Sequence, residues 1–460
     1  MIYPSRALAL TVALALSTPS WADFVALGHP NYDANATGYL FIHGAAGATG
    51  TITSNDGVMN QSFTIDPTGV ATITVPSSQF LSPDNSVLGM AMVVQSASPI
   101  SGYFLNRRTT STDMTYLLDV PALGTNYRVL GWHQSFGVIQ MSITATQDGT
   151  TATITPAAAL SSGQAADVPF AVSLNAGQSV IYNAPSGNDL SGTQITANKP
   201  LAVFSGATCS QVPVGIVACD HLFTQLPSVN HWASEYIVPE TALTGSAGNL
   251  VRILAATDNT QVTVNGVVVA TLNEGQFHEI AVAHDLHIIA SQPVLVGQYL
   301  KGVEATGYGD PAFTYIAGAN QTLRDYAFTV PTSLAPFQEN FLNLAVPTAA
   351  LDSLMLNDVA VDTSGFTPVG TSGYSTGRVP VALGPGRIQA SVPFVATMAG
   401  FTDADSYLTI LGTSYSSGGS PNPGPGPGPV AVPLGGALPW LAMVAGLLGV
   451  GGRFLRRQRS

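Results

Sequence analysis

The sequence predicts an all-β protein built from about four tandem β-sandwich-like modules, each of roughly 95–100 residues. Three observations carry that class. A proline ahead of an apolar run recurs at Pro99, Pro200, Pro293 and Pro393, with spacings of 101, 93 and 100 residues. Matched strand-like runs and turns recur around each proline. Only 9% of residues are charged against 46% hydrophobic, with 47 glycines, a balance that suits β-rich extracellular proteins and argues against coiled coils.

The repeat orders the elements. Apolar runs begin at Gly38, Met141, Val251 and Phe341. In the second and third units they lead into the turns Asp148-Gly149 and Asp258-Asn259, followed by alternating apolar and polar positions, the period of a half-buried strand. A second matched turn follows, at Asn175-Ala176-Gly177 and Asn273-Glu274-Gly275. The proline comes next. It lacks an amide hydrogen and suits the first residue of a strand, so the pattern there reads as a loop feeding a buried strand. After the first three prolines a polar residue precedes a tyrosine and an apolar run, at Asn126-Tyr127, Glu235-Tyr236 and Asp325-Tyr326. The repeats thus fall roughly at 38–135, 136–240, 250–335 and 340–415, each with about six to eight short strands and no convincing helix. A β-propeller-like arrangement, each unit forming paired four-stranded blades, is the architectural alternative.

Both ends carry export signals. Residues 1–22 have the form of a secretory signal peptide: Arg6, an apolar run over 7–16, and Ser20-Trp21-Ala22, which places cleavage between Ala22 and Asp23. The apolar run is shorter than the ~20 residues a membrane span needs. Residues 416–431 are a Pro/Gly/Ser linker that cannot bury a core. Residues 432–460 join Val432-Pro433, an apolar stretch and an arginine cluster that includes Arg453, Arg456 and Arg457. This tail resembles the PEP-CTERM-type sorting signals of Gram-negative bacteria, although it has Val-Pro-Leu-Gly where that type has Val-Pro-Glu-Pro. The resemblance implies an exosortase-like sorting protease as a partner during export. A plain C-terminal transmembrane helix, with its arginines on the cytoplasmic side, is the alternative. Either reading puts the body at the cell surface, in the outer membrane or outside a Gram-negative-type cell. The two ends hold five arginines and no acids, so the body keeps 9 of the 14 basic residues against 26 acidic ones, a formal charge of −17. Such an acidic body excludes nucleic acid as a natural partner.

Within the body, Leu105-Asn-Arg-Arg108, Leu123-Gly-Thr-Asn-Tyr127, Val203-Phe-Ser-Gly-Ala-Thr-Cys209, Ala218-Cys-Asp-His-Leu-Phe-Thr-Gln-Leu-Pro227, the run from Val251 to Gly266, and Gly309-Asp-Pro-Ala312 resemble the N-terminal domain family of the IgGFc-binding protein. The resemblance runs from about residue 23 to 415. It implies a secreted, β-rich extracellular module. The animal namesake is a mucus protein named for binding immunoglobulin Fc. The cysteine-rich repeats that accompany this domain there are missing here, where the chain has two cysteines.

Few residues invite chemistry. Cys209 and Cys219 stand ten apart in an exported chain, which points to a disulfide; a catalytic thiol served by His221 is the rival. Asp220-His221 and His284-Asp285-Leu-His287 invite a metal or acid–base reading, but no zinc-type spacing accompanies them. The acidic turns at Asp148, Asp258, Asp310, and Asp403 with Asp405 leave calcium weakly possible as a cofactor; none has EF-hand spacing, and turn capping accounts for them as well. Arg107-Arg108 suits carboxylate recognition or internal salt bridges. Arg107, Arg108, Asp220, His221 and Asp310 are therefore the candidate ligand-binding residues. No P-loop or dinucleotide fingerprint occurs. The reading is a secreted or cell-surface, non-catalytic adhesion protein that recognises an extracellular glycan or protein. The alternatives are a self-associating coat or biofilm-matrix component and a hydrolase of extracellular polymer.

Overall fold

The computed structural model describes residues 21–415, apart from 83–84 and 333–336. The leader ahead of Trp21, the linker at 416–431 and the tail at 432–460, with Val432, Pro433, Arg453, Arg456 and Arg457, lie outside the described residues. The Ala22–Asp23 junction falls within the first strand, Trp21–Ala26. Among the described residues no helix is long and apolar enough to cross a membrane. The one α-helix there is a single turn, Val303–Thr306.

The first module shows the plan most openly, as two four-stranded antiparallel sheets. One runs, in spatial order, Trp21–Ala26, Met92–Ser96, Thr49–Thr53, Asn60–Thr64. The other runs Val70–Val75, Thr37–Gly44, Ile100–Arg108, Ser111–Leu117. The later modules repeat both orders, except that one long strand (Gln194–Ser210, Leu286–Tyr299 or Gly384–Thr402) runs through both sheets. Each module therefore has an opening strand and a closing strand, and in the first module Met92–Ser96 and Ile100–Arg108 together stand where the later ones have the long strand. The opening strands are Trp21–Ala26, Gly124–Arg128, Ala233–Val238 and Leu323–Val330. The closing strands are Ser111–Leu117, Asp220–Leu226, Phe313–Tyr315 and Asp405–Ile410. Alternation decides the faces: Thr150–Thr155 buries every second residue, because one face covers the core and the other meets water.

The recurrent proline and the recurrent tyrosine meet. Pro200, Pro293 and Pro393 lie inside continuous long strands, not at strand starts. They mark the corner where the strand leaves one sheet for the other, and pairing with the opening strand slips register there. A corner of this kind has no ladder bond for the missing N–H to make, so proline is tolerated. The tyrosine of the opening strand clips the corner. Tyr127 Oη donates to the Leu201 carbonyl at 2.6 Å and accepts from Gly124 N–H at 2.9 Å. Tyr236 does the same with Val294 (2.5 Å) and Ala233 (2.9 Å), and Tyr326 with Phe394 (2.6 Å) and Leu323 (2.7 Å). Each acceptor is the residue after the proline. In the first module Phe24 stands in the tyrosine's place, and its ring packs over Gly102, where a side chain would collide with it.

Neighbouring modules are joined by buried and part-buried polar bonds. His29 Nε2 meets Ser142 Oγ at 2.6 Å between the first and second. Arg252, almost wholly buried, joins the third to the second: it bonds the Gly131 carbonyl (2.7 Å) and Asp189 (2.9 Å) and stacks on Trp132. Arg378 pairs with Asp285 at 2.5 Å between the fourth and third. Tyr103 Oη donates to the Leu411 carbonyl at 2.6 Å between the first and fourth. The closing strands touch in the cyclic order first, second, third, fourth, first. Each module is thus a sandwich, and the modules form a ring with the closing strands at its axis.

Candidate binding site

At the axis the edge of one sheet meets the side chains of the next. Ser111, Asp113 and Thr115 alternate along the first closing strand and so share a face. They accept the N–H groups of His221 (3.1 Å), Phe223 (2.9 Å) and Gln225 (2.8 Å), which point from the free edge of the second closing strand. An exposed sheet edge leaves such donors unpaired, and polar side chains supply the acceptors here. Asp113 goes further. Its two oxygens accept N–H bonds from Met114 (2.9 Å), Phe223 (2.9 Å), Phe313 (2.9 Å) and Leu408 (3.2 Å), one from each module. Burial pushes this carboxyl up from the ordinary range, and the four amides oppose the shift. Each oxygen takes two N–H donors, an arrangement suited to the ionised form.

The other closing strands carry, at their first residue or just ahead of it, a carboxylate at a fixed distance from a threonine: Asp220 to Thr224, Asp310 to Thr314 and Asp405 to Thr409. In the first module Ser111 stands at that place, four residues before Thr115. These acids gather at one end of the axis. Asp220 accepts from Thr112 N–H at 2.7 Å and His221 N–H at 2.9 Å. Asp405 accepts from Thr112 Oγ1 at 3.0 Å and pairs with Arg107 at 3.3 Å, whose guanidinium lies over the Phe337 ring. Burial, then the neighbouring Asp405 and Asp310, push Asp220 well up; burial pushes Asp405 up to about 7, against the pull of Arg107.

Above them opens a cavity of about 590 Å³ with walls from all four modules. Tyr32 and Arg108 come from the first, Phe136 and the Cys209–Cys219 disulfide from the second, Asp310 from the third and Ala404 from the fourth. Gly309, at φ +77°, makes the turn that presents Asp310, and a side chain there would run into Phe401 and Ser406. Ser406 Oγ accepts from Asp310 N–H at 2.9 Å. Burial raises the Asp310 carboxyl to about 6. Arg108 pairs with Asp33 at 2.7 Å and lies over Tyr32; the hydrogen bond from Arg108 holds Asp33 below the usual carboxylate range.

Of the five candidate ligand residues, Arg108 and Asp310 line this cavity, while Arg107 and Asp220 lie behind its floor. His221 is fully buried with Nε2 2.8 Å from the Asn106 amide, and burial lowers it to about 3, which removes it as a base. Cys209 and Cys219 are disulfide-bonded, so the thiol reading falls. His287 contacts Glu235 at 2.9 Å within the third module, and Asp285 serves Arg378 as a joint to the fourth. Asp148 and Asp258 cap the matched turns, accepting from Ala176 and Glu274 N–H. Among the described residues no group of His, Cys, Asp and Glu is placed to hold a metal. Sequence reasoning missed Asp113, Tyr32 and Phe136. The aspartate-to-threonine spacing on the closing strands was the signal for the axis; nothing local marks Tyr32 or Phe136.

A family model described as IgGFc binding protein matches residues 113–400, more than half of the chain, from the axial aspartate into the long strand of the fourth module. The chain belongs to this family. It is similar to the human IgGFc-binding protein, at 28% identity over 155 residues, which cover 33% of this chain and 3% of that protein. The shared region is therefore a small part of the human relative.

Proposed function

We propose that this member of the IgGFc-binding family is an exported, non-catalytic binding protein that captures an extracellular protein at the axial cavity. One observation carries the reading: a cavity walled by all four modules, braced by a disulfide, with Tyr32 and Phe136 exposed at its mouth. Aromatic side chains at a concave, pre-formed site are what protein recognition uses most. The polar joints hold that mouth rigid, so binding carries little ordering cost. The family's name-giving human relative is named for binding IgG Fc, which favours protein over glycan as the ligand. The leader and the sorting-type tail would deliver the body to the cell surface, with a sorting protease as transient partner. The test is capture of extracellular proteins on the immobilised mature chain, beside a glycan array. Capture that Phe136→Ala reduces supports the reading; blank results on both sink it.

A second reading, self-association as a coat or matrix component, draws on one patch. Val267, Val268 and Val269 form an edge strand of the third module and are 64%, 55% and 36% exposed, with Ile289 nearby at 46%. An apolar free edge of this kind pairs readily with another copy.

A further inference from the structure

The charges around the axial cavity do not balance, and the imbalance identifies the group the cavity takes. Arg107 is spent on Asp405 and Arg108 on Asp33. Among the described residues Asp310 has no cationic partner, although it is only 2% exposed and lies on the cavity wall. A buried carboxylate without a counter-ion is costly, and an incoming cation removes that cost. We propose that the cavity accepts a cationic side chain, a lysine ammonium or an arginine guanidinium, presented by the extracellular protein partner, with Asp310 as its counter-ion. The inference rests on the binding reading above and adds the chemistry of the captured group.

Three further features fit a cation. The volume of about 590 Å³ accommodates a long side chain with its bridging water. Tyr32 and Phe136, 55% and 63% exposed, offer ring faces at the mouth, and a cation over an aromatic face gains further stabilisation. The rim already uses this chemistry: Arg108 lies 5.1 Å from the Tyr32 ring centroid while bonding a carboxylate. An anion would face Asp310 with Asp220 and Asp405 behind it, in a chain of formal charge −12. The charged groups around Asp310 are Asp220 on the second closing strand, Asp405 on the fourth, Arg107 and Arg108 on the first module's strand Ile100–Arg108, and Glu304 on the short helix.

The experiment titrates the mature chain with blocked single amino acids, N-acetyl-lysine methylamide and N-acetyl-arginine methylamide, against the glutamine and glutamate analogues, by calorimetry or NMR. Asp310→Asn, of nearly equal shape, is run in parallel, with a thermal melt to verify folding. The expected result is binding of the cationic probes only, weakened about tenfold or more in Asp310→Asn, and weakened in the wild type as pH falls through about 6. Equal binding of the glutamine or glutamate probe, no binding of either cationic probe, or cationic binding unaffected in a folded Asp310→Asn overturns the inference. Capture of an extracellular protein that is lost in Phe136→Ala but kept in Asp310→Asn overturns it while leaving the binding reading standing. Cationic probes bound through Asp310 with no protein captured keep Asp310 as the counter-ion of a cation but overturn the protein as its source, and sink the binding reading. Should Asp310→Asn fail to fold, the same titration is made on wild-type chain with Lys and Arg residues of the captured protein acetylated or blocked; undiminished capture then overturns the inference.

Discussion

Replacing Asp113 tests the ring directly. Its carboxylate is the shared acceptor for four buried N–H groups, one from each module. Asp113→Ala leaves all four without that acceptor in a site the wild-type residue occupies at 0% exposure. Each buried donor left unpaired costs about 1–3 kcal/mol, so the four together cost about 4–12 kcal/mol. That range overlaps the whole stability of an ordinary domain, about 5–15 kcal/mol. Asp113→Asn keeps one carbonyl oxygen and turns an amide NH₂ toward the other two donors, so about half the loss, ~2–6 kcal/mol, is expected. Equilibrium urea unfolding, followed by tryptophan fluorescence, reads both. Since modules are pinned to one another there, the alanine variant is also expected to lose cooperativity and unfold in more than one step. An Asp113→Ala chain that unfolds in a single transition within ~1 kcal/mol of wild type would refute the idea that this residue locks the four modules.

Other consequences follow from individual contacts. Tyr127→Phe removes a hydroxyl that both accepts from Gly124 and donates to Leu201, and should cost about 2 kcal/mol in urea unfolding; Tyr236→Phe and Tyr326→Phe should match it, since their bonds are the same. His43 is held down to about 4 by burial, so between about pH 4 and 6.5 the unfolded chain binds the extra proton. Its contribution is complete above about 6.5 and is lost as pH falls toward 4, worth about 3 kcal/mol; a His43→Gln chain should show a flatter stability–pH curve across that window. Val268→Lys puts a charge on the exposed valine edge, and any oligomer of the mature chain seen by light scattering should dissociate.

Much of the fold is local and was therefore legible in the sequence. Strand alternation, turn residues at Asp148 and Asp258 and the recurrent proline are set by neighbours a few residues apart, and they fixed the all-β class and the repeat. The two cysteines, ten residues apart in a chain read as exported, pointed to the disulfide that forms. The pairing of Arg107 and Arg108 with carboxylates was open to reasoning from their scarcity among many acids; their partners, Asp405 and Asp33, were not. Tertiary structure alone decided that Pro200 sits at a corner inside a strand and that Tyr127 reaches the carbonyl beside it, 74 residues away. It also decided that Asp113 collects amides from four modules, and that Tyr32, Phe136 and Asp310 face one cavity. The physical reason is the range of the forces involved. Backbone sterics and alternation act along the chain and leave a mark every two residues. The meeting of four closing strands depends on how whole sandwiches pack, and a single aspartate at their axis looks in the sequence like any other polar residue in a strand.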